Sequence, residues 1–330
     1  MSGVFIAGTG MYVPSKVVTN DDMTRFVDTS DEWIVQRTGI RERHFSTGEP
    51  NWYMGLQAAR QAVERAGIDP KEIDVIISSS ITPDYFYPTI ACTVQDELGA
   101  DNAFCWNMEA ACSGFVYALD VARSYLSTGS AKNVLIVCSE NMSKSLDFTD
   151  RSTCVLFGDG AGAAVVQKSE GLYASCMRSD GRTGAALLAR ALPLDTPFST
   201  EKDDPKYAKY METQGNCMKM DGRAVYRFTA HAIPDMVTGA CGRAGIDVQD
   251  LDLIVPHQAN LRIIETAADR LHVPMEKMYV NIDRYANTSC ASVPICLAEL
   301  ETSGRLRRGD KVALAGFGGG LTCGAAVFEW

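Results

Sequence analysis

Two of the four histidines and eleven cysteines in these 330 residues stand where a reaction could be run. Cys112 follows a short apolar stretch and opens an amphipathic one, Glu109-Ala110-Ala111-Cys112-Ser113-Gly114-Phe115. Small neighbours let a ligand approach closely. At a helix N-terminus the free N–H groups and the dipole favour thiolate over thiol, so Cys112 is expected to titrate below ~8.5 and to act as a nucleophile. His257 ends the apolar run Leu253-Ile254-Val255-Pro256. His44 lies in a charged segment, and His231 and His272 lie within helical patterns. Asn287 lies in Tyr285-Ala286-Asn287-Thr288-Ser289-Cys290, where an ordinary helix N-cap is the plainer reading. Cys290 also opens a helix and is a rival to Cys112.

The elements that must position these residues repeat. Arg65-Ala66-Gly67-Ile68-Asp69 recurs 178 positions later as Arg243-Ala244-Gly245-Ile246-Asp247. The same offset carries Asn133-Val134-Leu135 onto Lys311-Val312-Ala313, Cys112 onto Cys290 and Glu109 onto Asn287. Two homologous α/β halves are expected, residues 1–172 and 173–330. Strands are expected at 3–8, 73–79, 104–108, 132–138, 161–167, 171–178, 252–256, 277–281, 311–316 and 323–329. Helices are expected at 53–66, 91–99, 113–127, 222–244, 260–271 and 291–303. This alternation predicts largely parallel sheets covered on both faces, with ligands beyond the carboxyl ends of the strands. The glycine runs Gly158-Asp159-Gly160 and Gly318-Gly319-Gly320 do not open helices, so they read as tight turns rather than dinucleotide loops. A turn of this kind can present N–H groups as an oxyanion hole. Residues 192–217 break the periodicity and read as an inserted surface excursion.

Composition limits the function. The chain is 46% hydrophobic and 22% charged, and its net charge is −10. That argues against nucleic acid and anionic membrane surfaces as partners. No signal-peptide pattern is read at the start, and no run reads as a membrane helix. Eleven cysteines without a Cys-x-x-Cys pair suit buried thiols in a reducing cytoplasm, with neither a disulfide framework nor a metal site. Near the N-terminus, Thr29-Ser30-Asp31-Glu32 reads as a capping box that sets Trp33 and Arg37 on one helix face.

Taken together, these residues resemble the beta-ketoacyl-[acyl carrier protein] synthase III family, the chain-initiating condensing enzymes with a thiolase-like fold. The resemblance runs through Thr29-Ser30-Asp31-Glu32-Trp33 with Arg37-Thr38-Gly39, Ala111-Cys112-Ser113-Gly114-Phe115, Phe157-Gly158-Asp159-Gly160, Pro256-His257-Gln258-Ala259-Asn260-Leu261-Arg262, Asn287-Thr288-Ser289 and Gly318-Gly319-Gly320. It implies a layered α/β/α/β/α sandwich. It places a Cys–His–Asn triad on Cys112, His257 and Asn287, and so chooses Cys112 over Cys290. It implies an oxyanion hole from the N–H groups of Cys112 and Gly319. Coenzyme A contacts fall on Thr29, Trp33, Arg37, Arg151, Gly222 and Asn260. Carrier-protein docking falls on Gln258, Ala259, Asn260, Leu261, Arg262 and Arg227, and the acyl pocket on Tyr87, Met142 and Phe157. The implied activity condenses a short acyl-CoA with malonyl-[acyl carrier protein] through an acyl-Cys112 intermediate. It needs no metal or redox cofactor and runs in a cytoplasmic homodimer.

Several positions depart from the family pattern. Cys290 and Cys323 replace an expected alanine and aromatic residue, Tyr87 a frequent phenylalanine, and Asp269 a common basic residue. A related condensing enzyme or acyltransferase of polyketide or quinolone pathways is the alternative. A papain-like hydrolase matches the Cys–His–Asn order, but its Cys-Gly-Ser/Ala-Cys signature is missing.

Overall fold

A computed structural model describes residues 3–192, 196–200, 206–207, 210 and 217–330. Much of the predicted excursion at 192–217, including Pro193-Leu194-Asp195 and residues 201–205, lies outside the described residues.

Nine strands build two sheets: β1 Gly3–Tyr12, β2 Val75–Ser79, β3 Phe104–Met108, β4 Asn133–Glu140, β5 Gly160–Ser169, β6 Tyr173–Ser179, β7 Leu253–Pro256, β8 Lys311–Gly318 and β9 Thr322–Glu329. The first sheet has the order β1-β5-β4-β2-β3, the second β7-β8-β9-β6. The helices that matter are α1 Asp31–Thr38, α2 Asn51–Ala66, α3 Ile90–Leu98, α4 Gly114–Thr128, α5 Gly222–Ala244, α6 Leu261–Leu271 and α7 Ser292–Thr302.

Five layers follow from which faces are apolar. Phe115 and Leu119 of α4 and Leu297 and Leu300 of α7 share one buried cluster with strand residues of both sheets, such as Val75, Ile77, Val255 and Leu314. The alternate residues Ile76, Leu135 and Val137 face outward onto α2 and α3. Ile254, Ala313 and Val327 face α5 and α6 in the same way. Both faces of each sheet are therefore buried, which is why the strands read as continuous apolar runs. Each fully buried Leu, Ile or Phe contributes about 1.5–3 kcal/mol, so the layer between the sheets is a rigid platform.

The repeat is visible in the backbone. Asp74 Oδ2 accepts the Asn133 N–H at 3.0 Å, and 178 residues on, Asp252 Oδ2 accepts the Lys311 N–H at 2.8 Å. Gly67 and Gly245 end α2 and α5 with φ of 66° and 72°, a left-handed stop that favours glycine. Ala111 and Ser289, again 178 apart, have φ of 44° and 52° in matching turns that lead into α4 and α7.

Three expectations are corrected. The sheets are mixed, not largely parallel: β1–β5, β4–β5, β8–β9 and β9–β6 are antiparallel. The Gly318-Gly319-Gly320 turn closes the β8–β9 hairpin, as its glycines predicted. Residues 277–281 form no strand, apart from one bridge between Met278 and Ile254. The buried Gln258 amide brackets this segment instead, donating to Tyr279 O at 3.1 Å and accepting from Asn281 N at 3.0 Å. Helix α1 is capped by Ser30 Oγ, which accepts the Trp33 N–H, rather than by a Thr29–Glu32 box.

Candidate active site

The first repeated turn and the segment that leads into the second meet at one cavity of about 130 Å³, lined by Cys112, His257 and Asn287 together with Phe157, Gly222, Ala259, Asn260, Phe317 and Gly318. Cys112 sits on the turn Ala111–Ser113 below the first residue of α4. His257 follows β7, and its backbone N–H continues the ladder to Ala315 O at 2.7 Å. Asn287 is held by backbone pairing to the glycine-rich segment: its N–H donates to Leu156 O and its carbonyl accepts from Gly158 N, both at 3.0 Å. Glu299 of α7 anchors the approach to that loop, accepting from Asn281 Nδ2 at 2.6 Å, Tyr285 Oη at 2.9 Å and the Arg284 guanidinium. Cys290 is buried beside Glu140 and Ser79 and is not among the lining residues.

Hydrogen bonds orient the polar groups. Asn287 Oδ1 accepts the Ser289 N–H at 2.9 Å, which leaves the Nδ2 donors for the cavity. His257 Nδ1 lies 2.6 Å from Ser292 Oγ, and the ring packs edge-on against Phe317 at 5.0 Å. The cavity therefore presents two neutral donors to one region, an arrangement suited to an oxygen that gains negative charge during a reaction.

Burial dominates the electrostatics. The thiol of Cys112 is pushed up to about 12 by burial, with the hydrogen bond it shares with Ser289 opposing the push and Glu140 adding to it. The sequence expectation of a lowered thiol is overturned, because a helix terminus is worth only ~0.3–1 kcal/mol at an exposed site while full burial shifts a group by up to ~3–5 units. His257 is held at about 3, far below its ordinary 6.5, by burial alone. The unfolded chain protonates this histidine near 6.5 and the folded chain only near 3. Stability should thus fall as pH drops through that window, by about 1.4 kcal/mol per pH unit. Urea midpoints at about pH 7 and 4.5 test this, and the loss should be smaller in His257→Ala.

The other predicted residues distribute as follows. Trp33 is half-buried, with Arg151 Cζ 4.6 Å and Arg37 Cζ 5.5 Å from its ring centroid. Arg151 Nη1 donates to Asp28 O at 2.6 Å. The neighbouring Thr29 Oγ1 is buried without a partner. Asn260 links this slot to the cavity, donating to Arg37 O at 3.2 Å while lining the cavity itself. Gly318 lines the cavity, whereas Gly319 lies against Ala111 and Leu187. Phe157 lines the cavity with Met142 packed behind it. Tyr87 is 85% exposed, on the loop that also carries Tyr85 and Phe86. Arg227 and Arg262 are exposed, and Arg262 Nη2 donates to Gln36 O at 2.8 Å. The docking expectation is corrected at Gln258, which is fully buried with its amide engaged on both sides. Sequence reasoning missed Glu140, Ser289 and Ser292. Ser289 stood inside a quoted motif, but nothing in its spacing signalled a partner.

Comparison with known proteins decides the lineage. Residues 106–181 match the family described as 3-oxoacyl-[acyl-carrier-protein (ACP)] synthase III, and residues 241–330 match its C-terminal family. The beta-ketoacyl-[acyl-carrier-protein] synthase III of Clostridium beijerinckii is 48% identical, covering 100% of both chains. The chain belongs to the beta-ketoacyl-[acyl-carrier-protein] synthase III family. The crystal structure of the synthase III from Aquifex aeolicus superposes with a TM-score of 0.90 at 41% identity, covering 99% of this chain and 100% of that one. The priming beta-ketosynthase of the R1128 polyketide pathway superposes at 0.89 with 36% identity, covering 99% and 96%. The synthase is thus a thiolase-like α/β condensing enzyme of the acyltransferase type. Among the described residues, no helix is long and apolar enough to cross a membrane.

Proposed function

We propose that this synthase condenses a short acyl-CoA, such as acetyl-CoA, with malonyl-[acyl carrier protein]. The products are 3-oxoacyl-[acyl carrier protein], CO2 and coenzyme A, and the step initiates type II fatty-acid synthesis. The observation that carries the reading is the single cavity in which Cys112 meets the donors of His257 and Asn287.

Cys112 attacks the primer thioester, and the backbone N–H groups of Cys112 and the Gly318–Gly319 turn stabilise the oxyanion. Coenzyme A leaves, and malonyl carrier protein enters. As CO2 departs, negative charge builds on the malonyl thioester oxygen, where His257 Nε2 and Asn287 Nδ2 donate. The enolate carbon then attacks the acyl-Cys112 carbonyl, the acyl–Sγ bond breaks, and the released Cys112 thiolate takes up a proton from water. One well-placed donor is worth about 2.7–4 kcal/mol, so two supply a large part of the barrier lowering.

The Trp33–Arg37–Arg151 slot holds the adenine end of coenzyme A, with Thr29 beside it and Gly222 and Asn260 along the arm. Stacking of a base on an aromatic ring is worth about 1–3 kcal/mol. Trp33→Ala should therefore raise KM for acyl-CoA about tenfold to hundredfold while leaving kcat near wild type, as steady-state kinetics would report. The acidic carrier protein docks by Ala259, Asn260, Leu261, Arg262 and Arg227 at the cavity mouth.

Two copies pair through the edge strand β3, which carries exposed Phe104, and through the loop after β2 that exposes Tyr85, Phe86 and Tyr87. Tyr87 then reaches the partner's acyl pocket. The eleven free thiols suit a reducing cytoplasm.

Intact-protein mass spectrometry after brief incubation with acetyl-, isobutyryl-, hexanoyl- and octanoyl-CoA tests the reading. One acyl group mapped to Cys112 supports it, and a short chain supports the fatty-acid role over polyketide priming. No adduct, or one on Cys290, overturns it.

A further inference from the structure

His257 does not have a free site for every proton the reaction moves. Ser292 Oγ lies 2.6 Å from Nδ1 and already accepts the Gln258 backbone N–H at 3.4 Å. The donor role proposed for His257 at the enolate oxygen puts the ring proton on Nε2, and in that tautomer Nδ1 accepts the Ser292 hydroxyl proton. A ring in this tautomer donates to an enolate oxygen. It offers no lone pair at Nε2 for the proton that Cys112 must lose.

The thiol points elsewhere. Cys112 Sγ donates to Ser289 Oγ at 3.5 Å, and the Ser289 hydroxyl donates to Glu140 Oε1 at 3.0 Å. Glu140 is fully buried at the end of β4. It collects further donors from Thr82 Oγ1 at 2.5 Å, Ser80 Oγ at 3.2 Å and the Ile81 N–H at 3.2 Å. Those donors keep it an acceptor at rest, while burial raises its pKa and makes it a stronger base than an exposed carboxylate.

We propose that Glu140, acting through the Ser289 hydroxyl, takes the Cys112 proton during acylation, so that the two half-reactions use separate proton-handling groups. As Sγ bonds to the thioester carbonyl carbon, the thiol proton passes to Ser289 Oγ and the Ser289 proton passes to Glu140 Oε1. When the carbon–sulfur bond to coenzyme A breaks, the proton returns through Ser289 to the departing thiolate. Coenzyme A leaves as its thiol, and Glu140 is again ionised. Ser289 touches the nucleophile; Glu140 is a positioning residue that acts through it. The inference rests on Cys112 being the acylated residue.

The test separates the half-reactions. Ser289→Ala removes the relay, and alanine suits this turn because Ala111 holds the matching position with φ 44°. Rapid-quench mass spectrometry with acetyl-CoA should show acylation of Cys112 slowed about 100-fold or more, as expected for loss of a general base. Enzyme acylated beforehand by long incubation should still turn over malonyl carrier protein within a few-fold of wild type. Glu140→Gln, isosteric and still an acceptor through its carbonyl oxygen, should show the same split. Acylation of Ser289→Ala at the wild-type rate, or an equal fall in both half-reactions, overturns the relay. Wild-type enzyme that gains no acyl group on Cys112 overturns the proposed function instead.

Discussion

Replacing Cys112 by alanine should lower condensation on the order of 10⁴-fold or more, the scale set by loss of a covalent nucleophile. CO2 release from malonyl carrier protein should survive. The reason is geometric. The donors proposed for the enolate oxygen are fixed without help from the thiol: Asn287 by the Ser289 N–H, and His257 by Ser292 and by Ala315 O. The cavity of Cys112→Ala gains room for the malonyl group rather than losing a support. Parallel assays of CO2 release and of 3-oxoacyl product would reveal the split. Loss of both activities together would mean that the thiol organises the donors, contrary to the hydrogen bonds described.

The thiol also shows how local and tertiary effects compete. Sequence spacing places Cys112 at a helix start, where the dipole favours thiolate. Folding then roofs that turn with the end of β8, so burial reverses the sign and holds the thiol near 12. A protonated thiol at rest reacts slowly with oxidants. In the proposed reaction it becomes nucleophilic only when a thioester carbonyl is present and a base takes the proton in the same step. His257, neutral over the whole range above about 3, keeps its donor role across physiological pH.

Much of this was legible in the chain. The 178-residue offset located β2 against β7, β4 against β8 and the turn at Cys112 against the turn at Ser289, because each repeat buries the same apolar faces. The ligand edge followed from the strand ends, and the cavity lies there. What escaped was carried by side-chain hydrogen bonds between distant segments. Glu140 and Ser289 are 149 positions apart, and His257 and Ser292 belong to different elements. No periodicity encodes such pairings. Gln258 misled for a similar reason: the resemblance implies a docking surface there, yet its amide replaces a missing strand ladder at Tyr279–Asn281. The extent of the mixing escaped because strand–helix alternation does not give the direction in which β1, β5 and β6 join their sheets.

Gly318→Ala should slow the reaction about 10²–10³-fold, less than loss of the nucleophile but with a cost in stability as well. A methyl group at Gly318 would lie 2.5 Å from Cys112 N and 3.1 Å from both Ala111 Cβ and Cys112 Cβ. The nearest of these atoms is backbone in a turn that already holds Ala111 at a positive φ, so it has little freedom to yield. Either β8 retreats or the Cys112 turn does, and both movements take the Cys112 N–H away from the thioester oxygen. Loss of one oxyanion donor lowers kcat about 10²–10³-fold. The overpacking should also destabilise the fold by about 1–3 kcal/mol, since neither the β8–β9 hairpin nor α4 can shift without disturbing the layer between the sheets. Thermal unfolding would measure the second effect and rapid-quench acylation the first. Gly319→Ala, whose methyl group would meet atoms no closer than 3.6 Å, should leave stability near wild type. Equal damage from both substitutions would show that the turn, not the contact with Cys112, is what the enzyme needs.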